Sequence, residues 1–390
     1  MKHLLSETVK DIPKSGIREF FDIAKKVEGV ISLSVGEPDF HTPLQIKQAA
    51  IDAISDSKTF YTENLGIVPL REAIAKYTKD SLGVSYDPSN EVIVTVGASQ
   101  AIDLIMRTVL NPNDEVILLS PCYVMYEPCV RLCGAKPVHI ILKEENDFKL
   151  TYDDLKNAIT DKTKLILINY PSNPTGGVMT KEDYDKLIPL FEKHDLAIIT
   201  DEIYAELLYE GVHVSLAQYP SIKDKVLIVN GFSKAYAMTG YRIGYVLGNK
   251  DIIEAMCKIH QYTIMNVTTS SQYAALAAME YSYDDVERMR DDFLKRRNYL
   301  VNNLNRIGLK CPMPKGAFYV FPSIKSTGLT SYEFCIRLVN EEKIAVVPGN
   351  AFGESGEGHI RISYAYSINE LKEAIIRIEK FINKLNQESK

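Results

Sequence analysis

Tryptophan is absent from the 390 residues, and cysteine is scarce. The six cysteines are Cys122, Cys129, Cys133, Cys257, Cys311 and Cys335. None forms a CxxC pair, and the three at 122–133 lack histidine partners at zinc spacing, so no metal centre is expected. Reduced thiols in a cytoplasmic protein are the reading. No apolar run approaches the roughly 18 residues of a membrane span. The longest, such as 164–169, are strand-sized. The N-terminus, MKHLLSETVKDIPKSG, has no apolar stretch of the signal-peptide kind. Positive charge is not in surplus either. Lys+Arg total 45 against 51 Asp+Glu, a net charge of −6. That is the wrong sign for a sequence-independent nucleic-acid binder. The sequon at Asn266-Val-Thr268 has no secretory route to serve and reads as chance. Repeats and low-complexity stretches are also missing.

The composition is 46% hydrophobic and 25% charged, ordinary for a soluble globular protein. At about 150 residues per domain the length predicts two or three units. Short continuous β-branched runs at 92–96, 116–119, 165–168, 197–199, 226–229 and 243–247 alternate with helical segments such as 99–110 and 181–194. Runs apolar on both faces fit a mainly parallel sheet covered by helices. From residue 285 the pattern changes. A charged helix (284–305), a strand-like stretch (317–321), a helix (331–340), strands at 345–347 and 359–363 and a closing amphipathic helix (369 to about 385) predict a smaller α+β domain. The expected division is an arm at 1–45 packed with the small domain, a large domain at 46–284 and the small domain at 285–390.

Ligands of open α/β sheets bind at the carboxyl ends of the strands. Four ends here carry notable polar groups. After 92–96 comes Gly97-Ala98-Ser99. After 165–168 comes Asn169-Tyr-Pro-Ser-Asn173-Pro-Thr-Gly176. After 197–199 comes Thr200-Asp201-Glu202-Ile203-Tyr204. After 226–229 comes Asn230-Gly-Phe-Ser233-Lys234, with Arg242 eight residues beyond the lysine. Each has a plain reading. Ser99 could cap a helix, Asp201 could do the same, Lys234 could be a solvated lysine, and Arg242 could make a structural ion pair. Each has a sharper one. A helix N-terminus and an arginine fork hold phosphate, while a buried lysine loses hydration and becomes nucleophilic. Taken together, a lysine for a Schiff base, a carboxylate for a ring nitrogen, a phenol and an amide for a phenolic oxygen, and an arginine for a phosphate match the needs of pyridoxal 5′-phosphate (PLP).

At these residues the sequence resembles the class I/II aminotransferases, the fold-type I PLP enzymes. The resemblance covers essentially the whole chain. It is carried by Ser34-Val-Gly-Glu-Pro-Asp39, Tyr61 with Gly66-x4-Arg71, Pro171-Ser-Asn-Pro-Thr-Gly176, Asp201-Glu-Ile-Tyr204, Ser233-Lys234-x7-Arg242-Ile-Gly and His359-Ile-Arg361-Ile-Ser. Gly97 to Asp103, Leu132 to Pro137 and Met238 to Gly244 are most similar to aromatic amino-acid and N-acetyl-diaminopimelate aminotransferases.

The resemblance implies that Lys234 holds PLP as a Schiff base and that Asp201 pairs with its ring nitrogen. It implies further that Tyr204 and Asn173 face the phenolic oxygen, that Tyr123 stacks on the ring, and that Ala98, Ser99 and Arg242 hold the phosphate. Arg361 would fork onto the substrate α-carboxylate, helped by Asn173 and the Gly36 backbone. Tyr61 would reach the cofactor phosphate of a neighbouring subunit, which implies a homodimer. Two departures stand out. Many relatives have serine where this chain has Gly231, so Ser233 is the candidate to compensate. Tyr123 stands where some relatives have Trp or Phe. The implied reaction moves an amino group from an L-amino acid, aromatic or acyl-diaminopimelate-like, to a 2-oxo acid such as 2-oxoglutarate in two half-reactions, and the sequence does not choose between these donors and an aspartate-like one. A C–S β-lyase would use the same residues. A PLP-binding sensor domain is a remoter alternative, because the family motif is reached by Gly36 and leaves no room for a DNA-binding module. Ser15-Gly-Ile17 and 123–126 could shape an aromatic pocket. His213 and Arg107 could serve a second carboxylate, or sit on structural or solvated surfaces.

Overall fold

The computed structural model describes residues 2–388 apart from 11, 13–15, 17–19 and 21–25, so Ser15 and Ile17 lie outside the described residues. Twelve strands run along the described chain: β1 (Ile31–Ser32), β2 (Val92–Thr95), β3 (Glu115–Ser120), β4 (Lys136–Ile141), β5 (Thr163–Asn169), β6 (Ala197–Asp201), β7 (Val226–Gly231), β8 (Gly244–Leu247), β9 (Tyr319–Val320), β10 (Ile344–Ala345), β11 (Val347–Pro348) and β12 (Ile360–Ser363). Seven form one sheet in the order β2-β8-β7-β6-β5-β3-β4. Only β8 runs against its neighbours. This is the mainly parallel sheet that the apolar runs predict.

Side chains alternate across that sheet, and both faces are buried. Ile93, Leu118, Leu167, Ile199, Val229 and Val246 pack on one side with helix Gly97–Val109. Val94, Ile117, Ile166, Ile198 and Ile228 pack on the other with helices Lys181–Lys193 and Thr269–Tyr281. Helix Lys181–Lys193 starts where Thr180 and Asp183 close a reciprocal capping box. A separate core gathers helices Tyr283–Arg306, Ser331–Glu342 and Ile368–Glu388 around the antiparallel sheet β11-β12-β9. There β1 pairs in parallel with β10, drawing Leu33 into the same core. Among the described residues no helix is long and apolar enough to cross a membrane.

Three expectations need correction. The large sheet has a seventh strand, β4, which carries Lys136 and His139 among its apolar residues and lies at the sheet edge. An edge strand buries less, so it lacks the unbroken apolar run that marks its neighbours. The stretch 345–347 is not one strand. The chain changes partner at Val346, with β10 joining β1 and β11 joining β12. The strand-like 317–321 reduces to Tyr319–Val320, because Ala317 takes a left-handed φ of 59°.

The strand ends meet through glycine. Gly231 and Gly244 are register partners in β7 and β8. A Cβ on Gly231 would stand 2.9 Å from the Gly244 Cα, and one on Gly244 would stand 2.7 Å from the Ala98 nitrogen. These bare positions let the start of helix Gly97–Val109 press against the sheet. They also give a physical reason for glycine where a serine hydroxyl was expected to be missing. Gly244→Ala should therefore destabilise the fold by about 1–3 kcal/mol, the usual range for overpacking, as measured by denaturant unfolding. An unchanged midpoint would show that this contact can relax.

Candidate active site

A cavity of about 500 Å³ opens at the carboxyl ends of the parallel strands. Because β8 is antiparallel, its amino end lies at this same edge. The connection from β7 to β8 therefore delivers Ser233, Lys234, Thr239 and Arg242 together. Asn173 arrives from the loop after β5, Asp201 from the last position of β6, and Ala98 and Ser99 from the first turn of helix Gly97–Val109. Gly36 comes from the segment after β1, and Arg361 from β12. Eleven of the twelve residues that the family resemblance assigned to the site line this one cavity. Tyr61 does not; it is 83% exposed, beside Phe60 at 80%.

Asp201 is a strand-end residue, which removes the helix-cap reading. It is buried, and its Oδ2 accepts the Tyr126 hydroxyl at 2.7 Å. Its Oδ1 accepts the Ile203 amide at 3.2 Å. Burial pushes the carboxyl up to about 6, against the pull of the Tyr126 hydrogen bond. Register places Asn169 beside it on β5, and the Asn169 amide donates to the Asp201 carbonyl at 2.9 Å.

Lys234 is not a solvated lysine. Its Nζ donates to the Gly36 carbonyl at 2.7 Å. Burial pulls its ammonium down to about 8, opposed first by the Glu37 charge. Arg242 makes no ion pair among the described residues. It sits at a φ of 50°, and its Nη1 donates to the Thr239 carbonyl at 2.9 Å. A Cβ on Gly97 would stand 2.8 Å from its Nη2, so the guanidinium lies directly on the helix start. Ser99 does not cap that helix; Val96 is the N-cap, with no side-chain hydrogen bond there.

Arg361 is 2% exposed. Nη1 donates to Asn173 Oδ1 at 2.9 Å and Nη2 to the Ser34 carbonyl at 2.6 Å. The guanidinium stacks on Tyr319 at 4.4 Å and on Phe352 at 4.8 Å. Its Nε is buried with no partner, and among the described residues no carboxylate pairs with it. Tyr204 shares a 2.9 Å hydroxyl contact with Tyr319. Tyr123 sets its ring edge-on to Tyr126, with centroids 5.6 Å apart.

Sequence reasoning missed Asn169 and Tyr319 as wall residues; Tyr126 was expected only as one end of the stretch 123–126 that could shape an aromatic pocket, and that stretch does line the cavity. Asn169 ends a strand and obeys the same rule as Asp201. Tyr319 had no comparable signal, because it comes from the other core. His213 and Arg107 stay outside the cavity. His213 pairs with Glu202 at 2.9 Å and Arg107 with Asp103 at 2.8 Å.

These residues fit PLP. A dry carboxylate without a cationic partner can face a ring nitrogen, and a bare glycine turn under a guanidinium can cradle a phosphate. An amine whose burial raises its neutral fraction can meet an aldehyde. Comparisons with known proteins agree. The sequence pattern of the family described as aminotransferase class I and II matches residues 28–378. A Bacillus subtilis protein assigned as an N-acetyl-LL-diaminopimelate aminotransferase is 43% identical over 98% of this chain and 97% of its own length. Aromatic-amino-acid aminotransferase 2 of Thermococcus litoralis is 43% identical over 97% of this chain and 98% of its own. The structure of aspartate aminotransferase from Thermus thermophilus with maleate superposes with a TM-score of 0.92 at 38% identity, covering 96% of this chain and 99% of that one. Sequence, fold and site agree: the chain belongs to the class I and II aminotransferases, and it is a PLP-dependent transferase of the fold-type I architecture.

Proposed function

We propose that this aminotransferase takes the amino group of an L-amino acid with an aromatic or acyl-diaminopimelate-like side chain and delivers it to a 2-oxo acid such as 2-oxoglutarate. The observation that carries this reading is Arg361. A guanidinium buried without a counter-charge is unfavourable unless an anion arrives to pair with it. A substrate α-carboxylate is the anion that fits the cavity of an aminotransferase. The wall formed by Val35, Tyr123, Val124 and Met125 supports an apolar or aromatic side chain.

PLP, when bound, supplies an aldehyde that condenses with amines and a protonated ring that accepts the electron pair left by a departing α-proton. In the proposed roles Asp201 keeps the ring-nitrogen proton in place, and Tyr204 and Asn173 hydrogen-bond the phenolic oxygen. Ala98, Ser99, Ser233 and Arg242 hold the phosphate, and Tyr123 covers the ring face. Lys234 Nζ would take the proton from the substrate Cα, hold it and deliver it to the carbon that carried the aldehyde. Arg361, with Asn173 and the Gly36 backbone, orients the α-carboxylate so that the Cα–H bond points toward that amine. Tyr61 is proposed to reach the phosphate site of a second copy in a homodimer. Its exposed ring beside that of Phe60 supports this.

The test of the substrate reading is a panel of purified protein with PLP, 2-oxoglutarate and each amino acid in turn, following oxo-acid release. Aromatic amino acids and N-acetyl-LL-diaminopimelate should react fastest; silence from all donors would end the reading. Arg361→Lys keeps the charge and loses the fork. It should lower kcat/KM for amino acids about 100-fold while PLP stays bound. An amine with its midpoint near 8 is about one-tenth neutral at pH 7, against about 1 in 3,000 for an ordinary lysine. The rate at which apoprotein captures PLP as a borohydride-fixable adduct should therefore rise with pH up to about 8 and then level off. Lys234→Ala should capture none at any pH. A rate still climbing above pH 10 would contradict the lowered value.

A further inference from the structure

We propose that Tyr126 is a positioning residue for the PLP ring, acting through Asp201 with its hydroxyl and through Tyr123 with its ring. The inference rests on the reading of Asp201 as the partner of the ring nitrogen. Tyr126 opens helix Tyr126–Leu132 and is 2% exposed, so it has no water to bond. Its hydroxyl instead donates to Asp201 Oδ2 at 2.7 Å, while the only other donor to that carboxylate among the described residues is the Ile203 amide on Oδ1. A carboxylate has about four lone-pair sites, so two donors hold its plane and leave acceptor capacity for a ring N–H. The Tyr126 phenol is itself raised well above its ordinary range by burial and by the Asp201 charge, so it stays protonated and can only donate to that carboxylate.

The hydroxyl also decides the charge of Asp201. Burial favours the neutral acid, and the Glu202 charge adds to it. The hydrogen bonds from Tyr126 and Ile203 and the charge of Lys234 favour the carboxylate. With the balance near 6, loss of one donor brings protonation into the neutral range, where Asp201 would lose the negative charge that a ring nitrogen needs opposite it. The second contact is mechanical. Tyr123 meets the Tyr126 ring edge-on at 81°, so a residue locked by Asp201 also fixes the tilt of the ring proposed to cover the cofactor.

The experiment uses full-length apoprotein carrying ¹³C-labelled aspartate, with the Asp201 signal identified by its loss in Asp201→Asn. In Tyr126→Phe the titration midpoint of Asp201 should rise by about one pH unit, the size expected for a lost hydrogen bond to a charged group. In the PLP-loaded variant the acid limb of kcat/KM should move up by the same amount, with KM for the amino acid little changed. An unmoved midpoint overturns the proposal. Site-specific 3,5-difluorotyrosine at 126, a stronger donor of the same shape, serves as the second variant should Tyr126→Phe fail to fold. It should lower the midpoint, and no change there overturns the proposal equally. Because the midpoint is read without turnover, failure here is separable from failure of the Asp201 role, which an active Asp201→Ala enzyme would show.

Discussion

Burial at the ends of β6 and β7 is the constraint on which the site depends. The same cleft moves two groups in opposite directions. It lifts Asp201 to about 6 and lowers Lys234 to about 8, because burial disfavours the charged form of each. Were the two in direct contact they would form an ion pair and regain their ordinary protonation. Instead each is held by other groups. Tyr126 and the Ile203 amide hold the carboxylate, and the Gly36 carbonyl holds the amine. Acid and amine stay separate, each near its own balance point.

Closure of the cleft requires both cores. The large sheet supplies Asn173, and the small antiparallel sheet supplies Arg361; their hydrogen bond spans the cavity wall between them. The segment after β1 closes a third side. Its Ser34 carbonyl accepts from Arg361, and its Gly36 carbonyl accepts from Lys234. A Cβ on Gly36 would run into the Tyr319 hydroxyl, so only glycine lets that segment lie so close to β9. Pairing of β1 with β10 anchors the segment at its other end.

The end of the cleft proposed to hold the phosphate is built by a different means, close backbone approach. Gly97, Gly231 and Gly244 strip side chains from the point where a helix start, two strand ends and the Arg242 guanidinium converge. Glycine at 231 fits this packing: a side chain there would stand against the Gly244 Cα.

Most of the large sheet was legible along the chain because strands buried on both faces need unbroken apolar runs, and the polar residues that interrupt them at one end are then conspicuous. Asp201, Asn173, Lys234 and Arg242 were found that way, and resemblance to a known family added Arg361, Gly36 and Tyr61. The edge strand β4, the change of partner at Val346 and the wall residue Tyr319 were not legible. A half-exposed strand loses its pattern, and a two-residue strand has too few positions to show one. Local composition thus settled which residues could carry charge, fork or nucleophile. Their protonation and their partners were decided only when separate segments closed over one another, since burial strips hydration and moves the pKa values.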